Sequence, residues 1–206
     1  MKKKQISNKK PLVILGAGGH SRVLHDCLEL LGKNVIDVCE DDHYVLKHYH
    51  PNKVELVMGI GSVRDTDLRR DIYKKFKNKG YSFASVTHPS ANIGSRVQLG
   101  EGVQVMAGAI IQIGSRIGNN VLINTNAVLD HDCDIGDHSH VAPGATISGG
   151  VTIGPESHIG TGSSIIQGVR LGSRCLVGAG SAVIKNFPEG SILLGCPAKN
   201  FKNSKS

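Results

Sequence analysis

The chain has 206 residues, no Trp, 4% aromatic residues and a formal charge of +7. Five of its lysines lie within residues 1–10, so most of that charge is terminal; this excludes a basic surface spread over the fold and reads as a solvated tail that binds no nucleic acid. No run of 18 apolar residues and no signal-like apolar segment follow the lysines, so no membrane insertion and a cytoplasmic location are expected.

The N-terminal third reads as a small α/β unit. Leu12-Val13-Ile14-Leu15 is a short aliphatic strand that runs into Gly16-Ala17-Gly18-Gly19-His20. Ser21-Arg22 then opens a helical pattern with Val23, Leu24, Cys27, Leu28, Leu30 and Leu31 on one side, closed by Gly32. Val35–Cys39 is a second strand, followed by Glu40-Asp41-Asp42, and Leu56-Val57-Met58 a third, ending in Gly59-Ile60-Gly61. Ser62 is placed to cap a helix through Leu68, Ile72, Tyr73 and Phe76 to Gly80, and Tyr81–Val86 returns as a strand. Strand, Gly-rich turn, helix, strand is a Rossmann-like unit, whose ligands bind where the loops gather at the carboxyl ends of the strands. The turn offers backbone N–H groups and a helix N-terminus to a phosphate. It lacks the third glycine of a full dinucleotide fingerprint, Ser21 standing there, and the alternative is a packing domain with a tight turn.

Beyond His88-Pro89 the period changes. Sixteen consecutive hexads open with an aliphatic residue, at 93, 99, 105 and so on in phase to 183. Four residues after each aliphatic but the last stands a smaller one, such as Val103, Ala109, Ser115, Cys133, Ala145 or Ser157. Six fits neither a helix nor a hairpin sheet and marks a β-helix. Three hexads make an eighteen-residue coil, and coils stack at roughly 4.8 Å, the spacing of paired strands. The competing antiparallel sandwich would require every hexad to match by accident. The expected organisation is a tail over 1–10, a Rossmann-like domain over 11–88, an all-β prism over 89–188 and a closing segment over 189–206.

Five cysteines, odd in number and without a CxxC pair, read as reduced thiols; Cys133 and Cys175 hold small, inward positions of the repeat. His43, His48, His50 and His138 are read as solvated. His140 and His158 are eighteen apart and should stack on adjacent coils. His131-Asp132 falls at a corner and points outward, and an adjacent carboxylate suits a histidine for proton abstraction near neutral pH. Metal binding would need imidazoles converging in a fixed geometry, and positions 131, 138, 140 and 158 do not match the zinc-ligand pattern of the trimeric β-helix carbonic anhydrases, so no metal is expected.

From the GAGGH turn to Gly195-Cys-Pro-Ala-Lys199, the chain resembles the hexapeptide-repeat sugar acetyltransferases, trimeric left-handed parallel β-helix enzymes that use acetyl-CoA. The most specific element is the string from Asn124 through His131-Asp132 to His140. The resemblance implies an acetyl-CoA-dependent N-acetyltransferase acting on a nucleotide-linked amino-deoxy sugar, with UDP as the expected carrier, for surface-glycan synthesis. It implies His131 as general base, with Asp132 raising its basicity. Asn124, His140, Gly149, Thr161 and Ala179 would lie at acetyl-CoA. Gly18, Gly19 and His20 would hold the nucleotide-sugar phosphates, and Glu40, Asp41 and Gly61 the nucleoside. It implies a homotrimer. The alternatives are O-acetylation of a sialic or related acid, and a non-catalytic subunit that binds nucleotide sugar.

Overall fold

The computed structural model describes residues 10–201; the basic run before Lys10 and the residues after Phe201 lie outside it. Strand β1 (Leu12–Leu15), helix α1 (Gly19–Leu30), strand β2 (Val35–Cys39), helix α2 (Asp42–His48), strand β3 (Glu55–Met58) and helix α3 (Asp67–Lys77) form the N-terminal unit. Its three strands are parallel in the order β2-β1-β3. The aliphatic strand β1 is central and wholly buried, as a run of four large apolar residues without alternation requires. Helix α2 was not legible in the sequence, because it is only seven residues long and buries Val45 alone.

The run Tyr81–Val86 does not return as one strand. Phe83 makes a single parallel bridge to Leu56, and Val86–Thr87 instead pairs with Gln104–Val105 in the prism. Likewise Ser62 caps nothing: α3 begins five residues later, with Thr66 as its cap residue.

From there the strands pair in parallel with those eighteen residues on, as in Leu122↔His140, Val128↔Thr146 and Asp134↔Thr152, until the last coil, where the step shortens and Leu176 pairs with Ile192. Three sheets of eight, six and five strands form three flat faces. The hexad aliphatics stack inside with their small partners into one continuous core, from Val103 to Leu193. The first two hexads depart from the expectation. Ile93 is half-buried and Leu99 is 36% exposed, because their strands are the end strands of their faces.

The outward residues distinguish the faces. One face carries Gln98, Arg116, Asp134, Thr152 and Arg170 and is charged. The next carries Gln104, Leu122, His140 and His158, all buried under the N-terminal unit. The third carries Asn92, Ile110, Val128, Thr146, Ser164 and Ala182 and is uncharged.

Helix α3 fixes the N-terminal unit along the corner between the charged and covered faces. Its 11 residues span about 16 Å, close to three coil steps of about 4.8 Å. Lys77 therefore reaches Glu101 at 2.7 Å, while Arg70 reaches Glu156 three coils on at 2.9 Å. Between them Tyr73 lies edge-on to His138, with ring centroids 5.3 Å apart. His138 is thus buried, not solvated; its Nδ1 faces the Asn120 amide at 3.0 Å. No helix among the described residues is long and apolar enough to cross a membrane.

Truncation should separate the packed coils from the open end. Ile147→Ala, in the packed interior, should cost about 2–5 kcal/mol. Leu99→Ala, at the exposed end, should stay below about 1 kcal/mol. Guanidinium denaturation of both variants reads the difference.

Candidate active site

A cavity of about 460 Å³ opens where the carboxyl ends of β1 and β3 face the covered side of the prism. Gly18, Gly19, His20 and Gly61 line it from one side, and Leu122, Asn124 and His140 from the other. The structure thus gathers Asn124 and His140 with residues expected at the nucleotide sugar. Glu40 and Asp41 line a neighbouring cleft with Ala17 and Tyr44, around the same Gly-rich turn. There the Asp41 carboxylate is occupied as the cap of α2, accepting from the His43 N–H at 2.8 Å.

The histidines of the cavity are tied in defined tautomers. The Thr125 N–H donates to Asn124 Oδ1 at 2.8 Å, which turns the Asn124 amide nitrogen toward His140 Nε2 at 3.0 Å. Nε2 of His140 is therefore an acceptor, and its Nδ1–H donates to Ser62 Oγ at 2.7 Å. Burial, then the neighbouring His158, Arg69 and His20, hold His140 well below the ordinary histidine pKa. His158 stacks beneath it edge-on, with centroids 4.9 Å apart, and burial lowers its pKa too. His20 Nε2 meets Gln104 Oε1 at 2.8 Å; burial, with the Arg69 cation second, brings its pKa down to about 4.

His131 and Asp132 lie elsewhere, at the corner between the uncharged and charged faces. The ring is half-exposed, and its Nδ1–H donates to Asp132 Oδ2 at 2.9 Å, leaving the Nε2 lone pair free. That bond raises the pKa of His131. Gly149, one coil on, lies directly against this ring: a Cβ there would stand 2.6 Å from Cε1 and 2.9 Å from Cδ2. Cys133, beside them, faces inward, and burial pushes its thiol up to about 11. Thr161 and Ala179 are exposed on the corner at the other edge of the uncharged face, in the corner column that follows Asn124. Among the described residues, no three His, Cys, Asp or Glu side chains converge in a way that would hold a metal ion.

Residues 114–149 match the bacterial transferase hexapeptide (six repeats) family, and residues 11–76 the PglD N-terminal domain family. The acetyltransferase domain of PglB from Neisseria gonorrhoeae is 30% identical, with a TM-score of 0.87 over 94% of this chain and 100% of that one. A mutant form of perosamine N-acetyltransferase from Caulobacter crescentus, in complex with CoA and GDP-perosamine, is 35% identical, with a TM-score of 0.87 over 94% and 97% of the two chains. The chain belongs to the hexapeptide-repeat sugar acetyltransferases. It is an acyltransferase. WeeI from Acinetobacter baumannii, 21% identical over 94% of this chain and 100% of that one, shares the fold with a TM-score of 0.82. A search of curated proteins finds no match.

Sequence reasoning missed Ser62, Arg69 and Gln104, which build the wall between the two units. A signal for Gln104 was present: its outward column, Gln104, Leu122, His140 and His158, holds no charge where the charged face has Arg116, Asp134 and Arg170. Gly149→Ala should push the His131 ring from its place without unfolding the prism. A displacement of about 1 Å costs on the order of 10²-fold in turnover, to be read in steady-state kinetics beside an unchanged melting curve.

Proposed function

We propose that this protein transfers the acetyl group of acetyl-CoA to the amine of a nucleoside-diphosphate amino-deoxy sugar, with His131 as general base. The observation that carries the reading is the His131–Asp132 pair lying over Gly149 at an exposed corner. Acetyl-CoA supplies an acyl thioester. His131 Nε2 takes the proton that the amine loses as the N–C bond forms, and can return it to the departing sulfur. Asp132 keeps the Nδ1–H tautomer and stabilises the imidazolium. Gly149 offers a backbone N–H one coil from the base, suited to the oxygen on which charge develops. Cys133 is buried as a neutral thiol, which favours direct transfer over a covalent acyl-enzyme.

The general base His131 and the expected acetyl-CoA residue Gly149 lie at one edge of the uncharged face, and the expected acetyl-CoA residues Thr161 and Ala179 at the other. A homotrimer packed through that face would bring one edge of each copy against the other edge of its neighbour. Ile110 and Val128, partly exposed on an uncharged surface, suit such packing. The interdomain cavity then takes the nucleotide sugar: Gly18 and Gly19 at the N-terminus of α1 suit its phosphates, and Glu40, Asp41 and Gly61 its nucleoside. The GDP-perosamine bound by the Caulobacter structure sets GDP beside UDP as carrier. The deciding assay offers acetyl-CoA with UDP-, GDP- and dTDP-amino sugars; transfer to an amino sugar supports the reading, and none to any of them overturns it.

Three outcomes follow within that assay. His131→Ala should lower turnover by about 10²–10⁴-fold with the fold intact. A base acts deprotonated, so kcat/KM rises with pH through the His131 pKa. Removing the raising bond in Asp132→Asn should move that limb to lower pH while weakening the base. Val128→Arg should convert a trimer to monomers with loss of transfer, as read by sedimentation velocity.

A further inference from the structure

We propose that Gln104 and Arg69 are positioning residues that hold His20 as a hydrogen-bond acceptor toward the cavity, so that it reads a hydroxyl or amine of the substrate and is not a cation on its phosphates. This rests on the nucleotide-sugar reading of the cavity. Gln104 is fully buried, and its Nε2 donates to Met58 O at 2.8 Å. Reversing the amide would set two carbonyl oxygens against each other, so Oε1 faces His20 Nε2. A carbonyl only accepts; Nε2 of His20 therefore carries the hydrogen, and the lone pair is on Nδ1. That nitrogen has no protein partner among the described residues, on a side chain that lines the cavity.

Arg69 stands behind this arrangement. It is wholly buried, donating from Nη1 to Ile60 O at 2.7 Å and Met58 O at 3.3 Å, and from Nε to Asn120 O at 3.3 Å. All three acceptors are backbone carbonyls, so none of these bonds neutralises the cation. It thereby ties the Gly59–Gly61 wall of the cavity to the prism and shares Met58 O with Gln104. A second proton on His20 would add a cation near that of Arg69, and burial and Arg69 both oppose it. His140, which also faces this space, is tied on both ring nitrogens and leaves the acceptor role to His20.

Nitrogen-15 NMR of the full, unliganded chain tests the state directly. The Nε2–H tautomer is expected, neutral at pH 6, with a midpoint that rises in Arg69→Gln and Gln104→Glu. An Nδ1–H tautomer, or titration near the ordinary histidine value, overturns the placement of His20 alone. Kinetics test the role. His20→Asn, which keeps an acceptor near Nδ1, should retain most of the nucleotide-sugar affinity. His20→Lys should raise that KM by about tenfold or more, leaving the KM for acetyl-CoA unmoved. The reverse order would make His20 a phosphate ligand and sink the proposal. Binding of the nucleoside diphosphate alone locates the donor: on the ribose if His20→Lys weakens it, on the amino sugar if it does not. Absence of any transfer by the wild type overturns the proposed function, and with it the substrate named here.

Discussion

One constraint organises this molecule: a coil closes in eighteen residues, so each residue of the prism lies on the one eighteen away. Two-residue strands are far too short to stand alone, and only pairing above and below completes their backbone hydrogen bonds. The same stacking piles the hexad aliphatics into a single core. It also builds the chemistry. His140 sits on His158, and the ring of His131 lies across Gly149, because the positions differ by one coil. A corner position with no side chain above it is what lets an imidazole lie flat along the rod.

The second organising contact is α3 along one corner. Its length matches a few coil steps, and Lys77, Tyr73 and Arg70 meet Glu101, His138 and Glu156 in succession. The surface ion pairs add little individually, but they define an orientation. The buried residues do more. Arg69 and Gln104 converge on the carbonyl that ends β3, so the loop bearing Gly61 is fixed to the prism and not to its own unit alone. A cavity with walls from two units is preformed by that arrangement, and its polar groups are already oriented.

What could be read in the sequence was whatever depends on period or on neighbours along the chain. The prism, the inward small residues, the stacked pair at 140 and 158 and the His131–Asp132 contact are all of this kind. What could not be read depends on docking. His138 occupies a corner position that would be wet on a bare rod and is dry because Tyr73 covers it. Ser62 has the chemistry of a cap, yet tertiary contact with His140 claims it. Nothing local distinguishes Arg69 from Arg70, whose guanidinium instead reaches Asp67, Asp71 and Glu156. Tyr81–Val86 has one apolar pattern but serves two sheets, which its periodicity cannot show.

A rod of parallel strands ends in a row of unpaired amides and carbonyls, which would template a further rod. Here the last strand of the covered face, Ile192–Leu194, receives Lys199–Asn200 in antiparallel sense. The chain turns back at Gly195-Cys-Pro and lays a short, polar segment over that edge, breaking the parallel register that another coil would need. On that face the doubling-back leaves no parallel edge for a further coil, the role a capping segment has in a self-similar rod.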